Sequence, residues 1–372
     1  MQSFMTRLHQ LFGECGQSPW IDNLTRPMVR QGGLAAMVER GIRGVTSNPT
    51  IFAKAISAGR DYDEQFAQLL ESGTTVEDAY WDMVVTDIAG AMAVLAPVHQ
   101  ASDGADGFVS LEVAPSLAHD TKGTVRAARD LDDRIEGPNL FVKVPATAEG
   151  VVAVRELVGD GRSINITLIF SLARYGEVID AYLTGLEHHD GDLSAVASVA
   201  SFFVSRVDTE VDRRLAAVGT GAALALRGTA AVAQARLAYG LFTERFSGPR
   251  WEALRERGAR CQRPLWASTS AKNPAYPDLV YVDGLIGPDT VNTMPDATVD
   301  AFLDHGTPAR TVDTDPDGAR RTMDELAAVG VDMEDVAEVL EREGVDSFAT
   351  SYADLLEALG AKAGALHPVG KH

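Results

Sequence analysis

The chain reads as an α/β protein, a (β/α)8 TIM-type barrel of parallel strands with extra helices at both ends. Three observations predict this. Eight short apolar runs of β-type residues recur along the 372 residues. Longer helix-period segments separate most of them. The runs carry polar residues near their C-terminal ends, where barrels of this class build their active sites. The alternative is an open doubly wound sheet. It would usually place a Gly-rich turn after the first strand, and Ile21-Asp-Asn-Leu-Thr-Arg26 contains no glycine.

In chain order, strands are expected at 18–24, 42–48, 107–113, 139–145, 163–170, 197–204, 263–268 and 279–282. Helical periodicity predicts helices over 27–40, 75–100, 119–135, 148–159, 172–187, 206–217 and 228–257. Thr75-Val-Glu-Asp78 resembles a capping box and opens the second of these. Residues 1–16 read as a helical arm. From about residue 296 the chain is helical and charged, with segments at 298–305, 317–329, 333–343 and 347–359. The last of these should supply the final barrel helix and a C-terminal cap over about 315–360. The tail 364–372 is expected to fray. The whole chain, 1–372, is expected to form one barrel domain; it shows no internal repeat and no low-complexity tract.

Composition narrows the function. The chain is 45% hydrophobic and 23% charged, ordinary values for a globular protein. Its formal charge is 33 − 53 = −20. Such a surface repels nucleic acid and anionic lipid, so neither is an expected partner. It also repels anionic metabolites at long range, so a phosphate site must rely on local cations and backbone N–H groups. The cysteines are Cys15 and Cys261, without paired spacing, which argues against a disulfide framework or zinc cluster and fits a reducing cytoplasm. The first residues lack a long apolar core, and no run approaches 18 apolar residues, so neither a secretory signal nor a membrane span is expected. The histidines show no metal spacing, and Gly191, Gly219 and Gly221 form no dinucleotide fingerprint.

One residue stands out on the strand Leu140-Phe-Val-Lys-Val-Pro145. Side chains alternate along a strand, so Lys143 shares a face with Phe141, opposite Leu140, Val142 and Val144. In a closed barrel one of those faces points inward. Burial disfavours the charged form of an amine and frees it to attack a carbonyl as a Schiff-base nucleophile. The bland alternative is a strand-end lysine that reaches water. Neighbouring strands argue otherwise. Ser110 and Glu112 lie opposite the apolar Val109, Leu111 and Val113, and Asn165 and Thr167 lie opposite Ile164, Ile166 and Leu168. The remaining strands offer Asp22, Asn48, Ser201 and Ser268. A lysine, two carboxylates and several amides and hydroxyls at one barrel mouth make a reaction site.

Single residues keep ordinary readings beside this one. Glu112 fits an ion pair with an arginine, and Asp22 fits a cap for the helix near Thr25. Asn48-Pro49 fits a turn, and Arg206 fits a surface pair with Asp208 or Glu210. The hydroxyl-rich stretch 267–274, with Lys272, fits either a plain loop or the phosphate site that commonly follows the seventh strand.

Six segments recur in a specific order: Trp20-Ile-Asp-Asn-Leu-Thr-Arg26, Val45-Thr-Ser-Asn-Pro-Thr50, Ser110-Leu-Glu-Val113, Val142-Lys-Val-Pro145, Ile164-Asn-Ile-Thr-Leu-Ile-Phe-Ser171 and Ser201-Phe-Phe-Val-Ser-Arg206. Together they resemble the transaldolases of the pentose phosphate pathway. Trp266-Ala-Ser-Thr-Ser-Ala-Lys-Asn-Pro274 and Tyr281-Val-Asp-Gly-Leu-Ile-Gly-Pro-Asp-Thr-Val-Asn-Thr-Met-Pro295 resemble that family's longer bacterial branch. The resemblance runs from about residue 15 to residue 360.

The resemblance implies transfer of a dihydroxyacetone unit from fructose 6-phosphate or sedoheptulose 7-phosphate to erythrose 4-phosphate or glyceraldehyde 3-phosphate, without metal or organic cofactor. It implies Lys143 as the Schiff-base lysine and Asp22 as the base for the C4 hydroxyl. Glu112 would be the acid/base acting through a water that Thr167 holds. Asn48, Asn165 and Ser201 would hydrogen-bond the dihydroxyacetone unit, and Arg206 and Ser268 would hold the phosphate. Much of the family has a second arginine shortly after that serine. Here Thr269, Ser270 and Lys272 stand instead, so Lys272 is the substitute as a point charge without bidentate geometry, and acceptor preference stays open.

A simple aldolase of the same superfamily is the nearest rival. Those enzymes typically carry tyrosine where this chain has Phe203, a residue counted with the substrate-binding set, and glutamine where it has Glu112. A transaldolase recruited to specialised sugar assembly is a second rival. An inactive barrel kept as a binding protein would be expected to lose Asp22, Glu112 or Lys143, and all three are present. A homodimer is compatible with each of these readings.

Overall fold

The computed structural model describes residues 5–366. Eight parallel strands pair in chain order and close on themselves: β1 (Gln17–Ile21), β2 (Val45–Thr46), β3 (Val109–Glu112), β4 (Leu140–Pro145), β5 (Ile164–Ile169), β6 (Ser198–Phe203), β7 (Arg263–Ala267) and β8 (Thr290–Met294). Nearly every strand residue is buried, because the outer face meets helices and the inner face meets the other strands.

The register places the chemistry. Glu112 on β3 sits opposite Lys143 on β4, and Lys143 sits opposite Asn165 on β5. Three polar side chains therefore form one row on the inner wall. Below them Trp20 stacks on Phe141 with ring centroids 6.1 Å apart, and Phe141 stacks on Phe108 at 4.0 Å. This aromatic layer fills the barrel and forms the site's floor. Lower still, Asp106 accepts hydrogen bonds from Trp20 Nε1 and Arg43 Nε at 2.9 and 2.8 Å.

The eighth strand differs from expectation. Residues 279–282 are not a strand; they belong to a short helix, Val280–Asp283, and the strand is Thr290–Met294. The apolar run resembled a strand locally, but its hydrogen bonds run to a helix and to the true eighth strand. Tyr281 Oη donates to Asp208, and the Tyr281 carbonyl accepts from Asn292 Nδ2.

Most helices lie where periodicity placed them, and three depart. The segment 27–40 splits into Arg26–Arg30 and Gly33–Glu39, because Gly32 takes a left-handed φ of 82° between them. The segment 228–257 splits into Ala230–Arg245 and Gly248–Glu256. The segments 333–343 and 347–359 are one helix, Met333–Leu366. Gly344, in the gap between the two expected segments, is a close-packing position: a Cβ there would lie 3.0 Å from Leu168 Cδ2. Two further helices, Pro49–Ala58 and Asp63–Glu71, fill the connection after β2.

Thr75 does cap the helix Val76–Ala101, accepting from the Asp78 N–H. By length and composition this helix could cross a membrane, but its apolar face, with Met83, Val84, Ile88 and Leu95, is buried in the core. The N-terminal arm contains the helix Arg7–Cys15. Residues 1–4 of that arm and most of the 364–372 tail lie outside the described residues.

Candidate active site

A cavity of about 380 Å³ opens at the C-terminal ends of the strands. Of the eleven residues singled out from the sequence, nine line it: Asp22, Asn48, Lys143, Thr167, Ser201, Phe203, Arg206, Ser268 and Lys272. Glu112 and Asn165 stand one layer behind, each touching a lining residue or its neighbour.

Lys143 is 5% exposed and Glu112 is 6% exposed. Their Nζ and Oε2 atoms are 3.1 Å apart, and Nζ also faces the Ser47 carbonyl at 3.3 Å. Burial pushes the Glu112 carboxyl above the ordinary carboxylate range, and the Lys143 cation opposes that rise. An acid/base group poised in this way exchanges protons readily with a neighbouring amine. Glu112 thus pairs with Lys143, not with an arginine.

Asp22 lies at the end of β1. Burial raises its carboxyl as well, against the pull of Lys143 and a hydrogen bond from Thr46. That bond, from Thr46 Oγ1 to Asp22 Oδ1, measures 2.7 Å, and Thr46 Oγ1 lies 2.6 Å from Thr293 Oγ1. Asp22 does not cap the next helix, because Thr25 does so by accepting from the Met28 N–H.

The amides and hydroxyls form a chain across the wall. Ser201 Oγ donates to Asn165 Oδ1 at 2.7 Å, and Asn165 Nδ2 donates to Ser110 Oγ at 3.0 Å. Thr167 Oγ1 is buried and has no hydrogen-bond partner among the described residues. Such a hydroxyl is available to a group brought by substrate or solvent. A β-bulge lies beside it, where the β5–β6 register shifts between Ile166 and Ile169 and Leu168 takes a φ of 61°. Asn48-Pro49 is a helix start, not a plain turn: Asn48 Oδ1 caps the helix Pro49–Ala58, and the residue also lines the cavity.

Part of the cavity lining is cationic. Arg206 opens the helix Ser205–Val218, and its guanidinium lies 5.3 Å from the Phe203 ring centroid. Glu210 is occupied by Arg213 and Arg214, and Asp208 by Tyr281, so neither pairs with Arg206. Lys272 donates to Ser270 Oγ at 2.7 Å. Burial disfavours the charged form of both Arg206 and Lys272, and in Lys272 the nearby Arg206 adds to the effect. Neither forms an ion pair among the described residues. Ser268, with a left-handed φ of 57°, lines the same cavity and shares a 2.8 Å hydroxyl contact with Ser205. Two partly buried cations beside hydroxyls suit a phosphate.

Several lining residues were not singled out from the sequence. Thr46 was detectable, since it shares the strand phase of Asn48. Thr293 was lost with the misplaced eighth strand. Ser347, Phe348 and Ser351 come from the C-terminal helix, and Thr50 and Lys54 from the helix after β2. Nothing local in those helical patterns marks a barrel mouth. Among the described residues, no group of three or more His, Cys, Asp or Glu is placed to hold a metal ion.

Comparisons with known proteins show the family to which the chain belongs. Residues 19–359 match the family model for transaldolase/fructose-6-phosphate aldolase. A transaldolase of Thermobifida fusca is 52% identical, over 94% of this chain and 96% of its own. Transaldolases of Parafrankia sp. and Mycobacterium ulcerans are 51% and 49% identical, each over 94% of this chain and 96% of theirs. The chain belongs to the transaldolase/fructose-6-phosphate aldolase family.

Proposed function

We propose that this barrel transfers a three-carbon ketol unit through a Schiff base on Lys143, as the mechanism of a transaldolase of the pentose phosphate pathway. The observation that carries the residue assignment is the buried Lys143–Glu112 pair at 3.1 Å, at a cavity that Arg206 and Lys272 also line. Lys143 Nζ adds to C2 of fructose 6-phosphate or sedoheptulose 7-phosphate. Glu112 moves the protons that turn the carbinolamine into an iminium, with water leaving, and Thr167 orients that water. Asp22 takes the C4 hydroxyl proton, the C3–C4 bond breaks, and its electron pair flows into the iminium. The aldose phosphate departs and the enamine stays on Lys143. Erythrose 4-phosphate or glyceraldehyde 3-phosphate then accepts the unit by the reverse steps.

Asn48, Asn165 and Ser201 hold the dihydroxyacetone hydroxyls in this reading, and Arg206, Ser268 and Lys272 hold the phosphate. Phe203 and Glu112 favour transfer over simple aldol release. The unpaired Cys15 and Cys261 suit a reducing cytoplasm.

Borohydride reduction in the presence of fructose 6-phosphate tests the reading. A stable three-carbon adduct should form on Lys143, located by intact mass and peptide mapping. Lys143→Met should lose the adduct and lower turnover by about 10³-fold or more. An adduct on another lysine, or normal turnover in the variant, would end the assignment.

A further inference from the structure

The C-terminal helix Met333–Leu366 lays one face across the barrel mouth. Its buried side chains recur at helical spacing: Leu340, Phe348, Tyr352, Leu355 and Leu359. Gly344 belongs to the same row. A Cβ there would lie 3.0 Å from Leu168 Cδ2 and 3.7 Å from Arg206 Nη1. The missing side chain lets the helix backbone come down onto β5, beside the cationic wall. One turn later Phe348, 5% exposed, enters the cavity and brings its ring centroid to 5.9 Å from Lys143 Nζ. One turn further, Tyr352 meets Tyr80 edge-on at 5.6 Å and borders the pocket that holds Glu112. The nucleophile therefore has a carboxylate on one side and an aromatic ring from a distant helix on another.

We propose that Phe348 keeps water from the lysine-bound three-carbon enamine, and so decides whether the unit is transferred or released. The inference rests on the Schiff-base reading above. Release and transfer diverge at a defined point. In transfer, C3 of the enamine attacks the acceptor carbonyl. In release, C3 takes a proton, a water oxygen adds to C2, and the C2–N bond breaks with its electrons going to nitrogen. The nitrogen recovers a proton, so enamine plus water becomes free amine plus dihydroxyacetone. A phenyl ring offers water no hydrogen bond and occupies space beside the reacting nitrogen. In the proposed reading the acceptor phosphate is held by Arg206 and Lys272, which line the same cavity.

The test compares Phe348→Ala, Phe348→Leu and Leu355→Ala. Leu355 lies on the same buried seam, is 1% exposed and does not line the cavity. Dihydroxyacetone release from fructose 6-phosphate is measured without acceptor, and transfer is measured with erythrose 4-phosphate. Phe348→Ala should raise the ratio of release to transfer by about tenfold, equivalent to ~1.4 kcal/mol between the two barriers. Phe348→Leu, which keeps most of the volume, should fall between Ala and the parent and carries the test if the Ala variant does not fold. Leu355→Ala should leave the ratio within about twofold of the parent, even where it lowers stability. An unchanged ratio in a Phe348 variant that still forms the borohydride-trapped adduct on Lys143 would overturn the inference alone. So would an equal rise in Leu355→Ala. Absence of the adduct in the parent protein would overturn both readings.

Discussion

Lys143 and Glu112 set each other's chemistry through their separation and their burial. Burial favours the neutral form of Glu112, and the Lys143 cation 3.1 Å away opposes that effect. The balance is incomplete for the carboxylates. Burial outweighs the nearby cations at both Glu112 and Asp22, so both carboxyls stand above the ordinary range. In the proposed mechanism Asp22 must be ionised to take a proton from the substrate hydroxyl. A raised carboxyl is ionised only at higher pH, so activity falls as pH drops through that raised value. The acid limb of kcat/KM should therefore bend above the ordinary carboxylate value of about 4. In Asp22→Asn the activity should be lower by at least about 10²-fold across the whole range. A profile flat down to the ordinary carboxylate range would remove Asp22 from the proton transfer.

The helix that presents Arg206 is anchored by one buried carboxyl. Asp208 accepts from the Ala231 N–H and from Tyr281 Oη, both at 2.8 Å, so it ties Ser205–Val218 to the helices Ala230–Arg245 and Val280–Asp283. Burial pushes Asp208 from an ordinary 3.8 to about 6. The folded state then binds this proton more tightly than the unfolded state. Its stabilising share is complete below the ordinary value and is lost as pH rises through about 6. That loss amounts to about 3 kcal/mol by linkage. Asp208→Asn cannot ionise, so its urea stability should gain on the parent by about this much between pH 4 and pH 8. Parallel stability curves would show that Asp208 keeps its ordinary value.

The same elements show what the sequence could reveal. The row Glu112, Lys143, Asn165 was legible because strand phase is a local property and adjacent parallel strands keep it in step. The eighth strand was not. Thr290, Asn292 and Thr293 are polar; the partners of Thr290 and Thr293, Gln17 Nε2 and Thr46 Oγ1, come from elements remote in sequence, and Asn292 bonds the Tyr281 carbonyl of the preceding helix. The apolar stretch at 279–282 had the stronger local signal and lost to tertiary contacts. Phe348 was hidden for the same reason: helical spacing marks a buried face but not what it covers.

At the scale of the whole molecule, a chain of net charge −20 must attract doubly charged sugar phosphates. The two demands act over different distances. Surface repulsion is long-range and fades within about 8–10 Å at physiological ionic strength. In the proposed reading Arg206 and Lys272 act on the phosphate at contact, from partly buried positions where salt screens them less. In the parent protein the two terms oppose each other, so kcat/KM for fructose 6-phosphate should respond weakly to salt. Arg206→Ala combined with Lys272→Ala removes the local attraction and takes the net charge from −20 to −22, leaving repulsion alone. Its kcat/KM should start lower by about 10²-fold or more, through KM, since a charged hydrogen-bonded partner for phosphate is lost. It should then rise as salt increases from about 0.01 M to about 0.15 M, because only the repulsion remains to be screened. The decisive quantity is the difference in slope between the two proteins, measured as initial rates at limiting substrate. Equal slopes would mean that the cationic wall does not bind the phosphate. The anion would then have to be held by the hydroxyls of Ser268 and Ser270 and by backbone N–H groups alone.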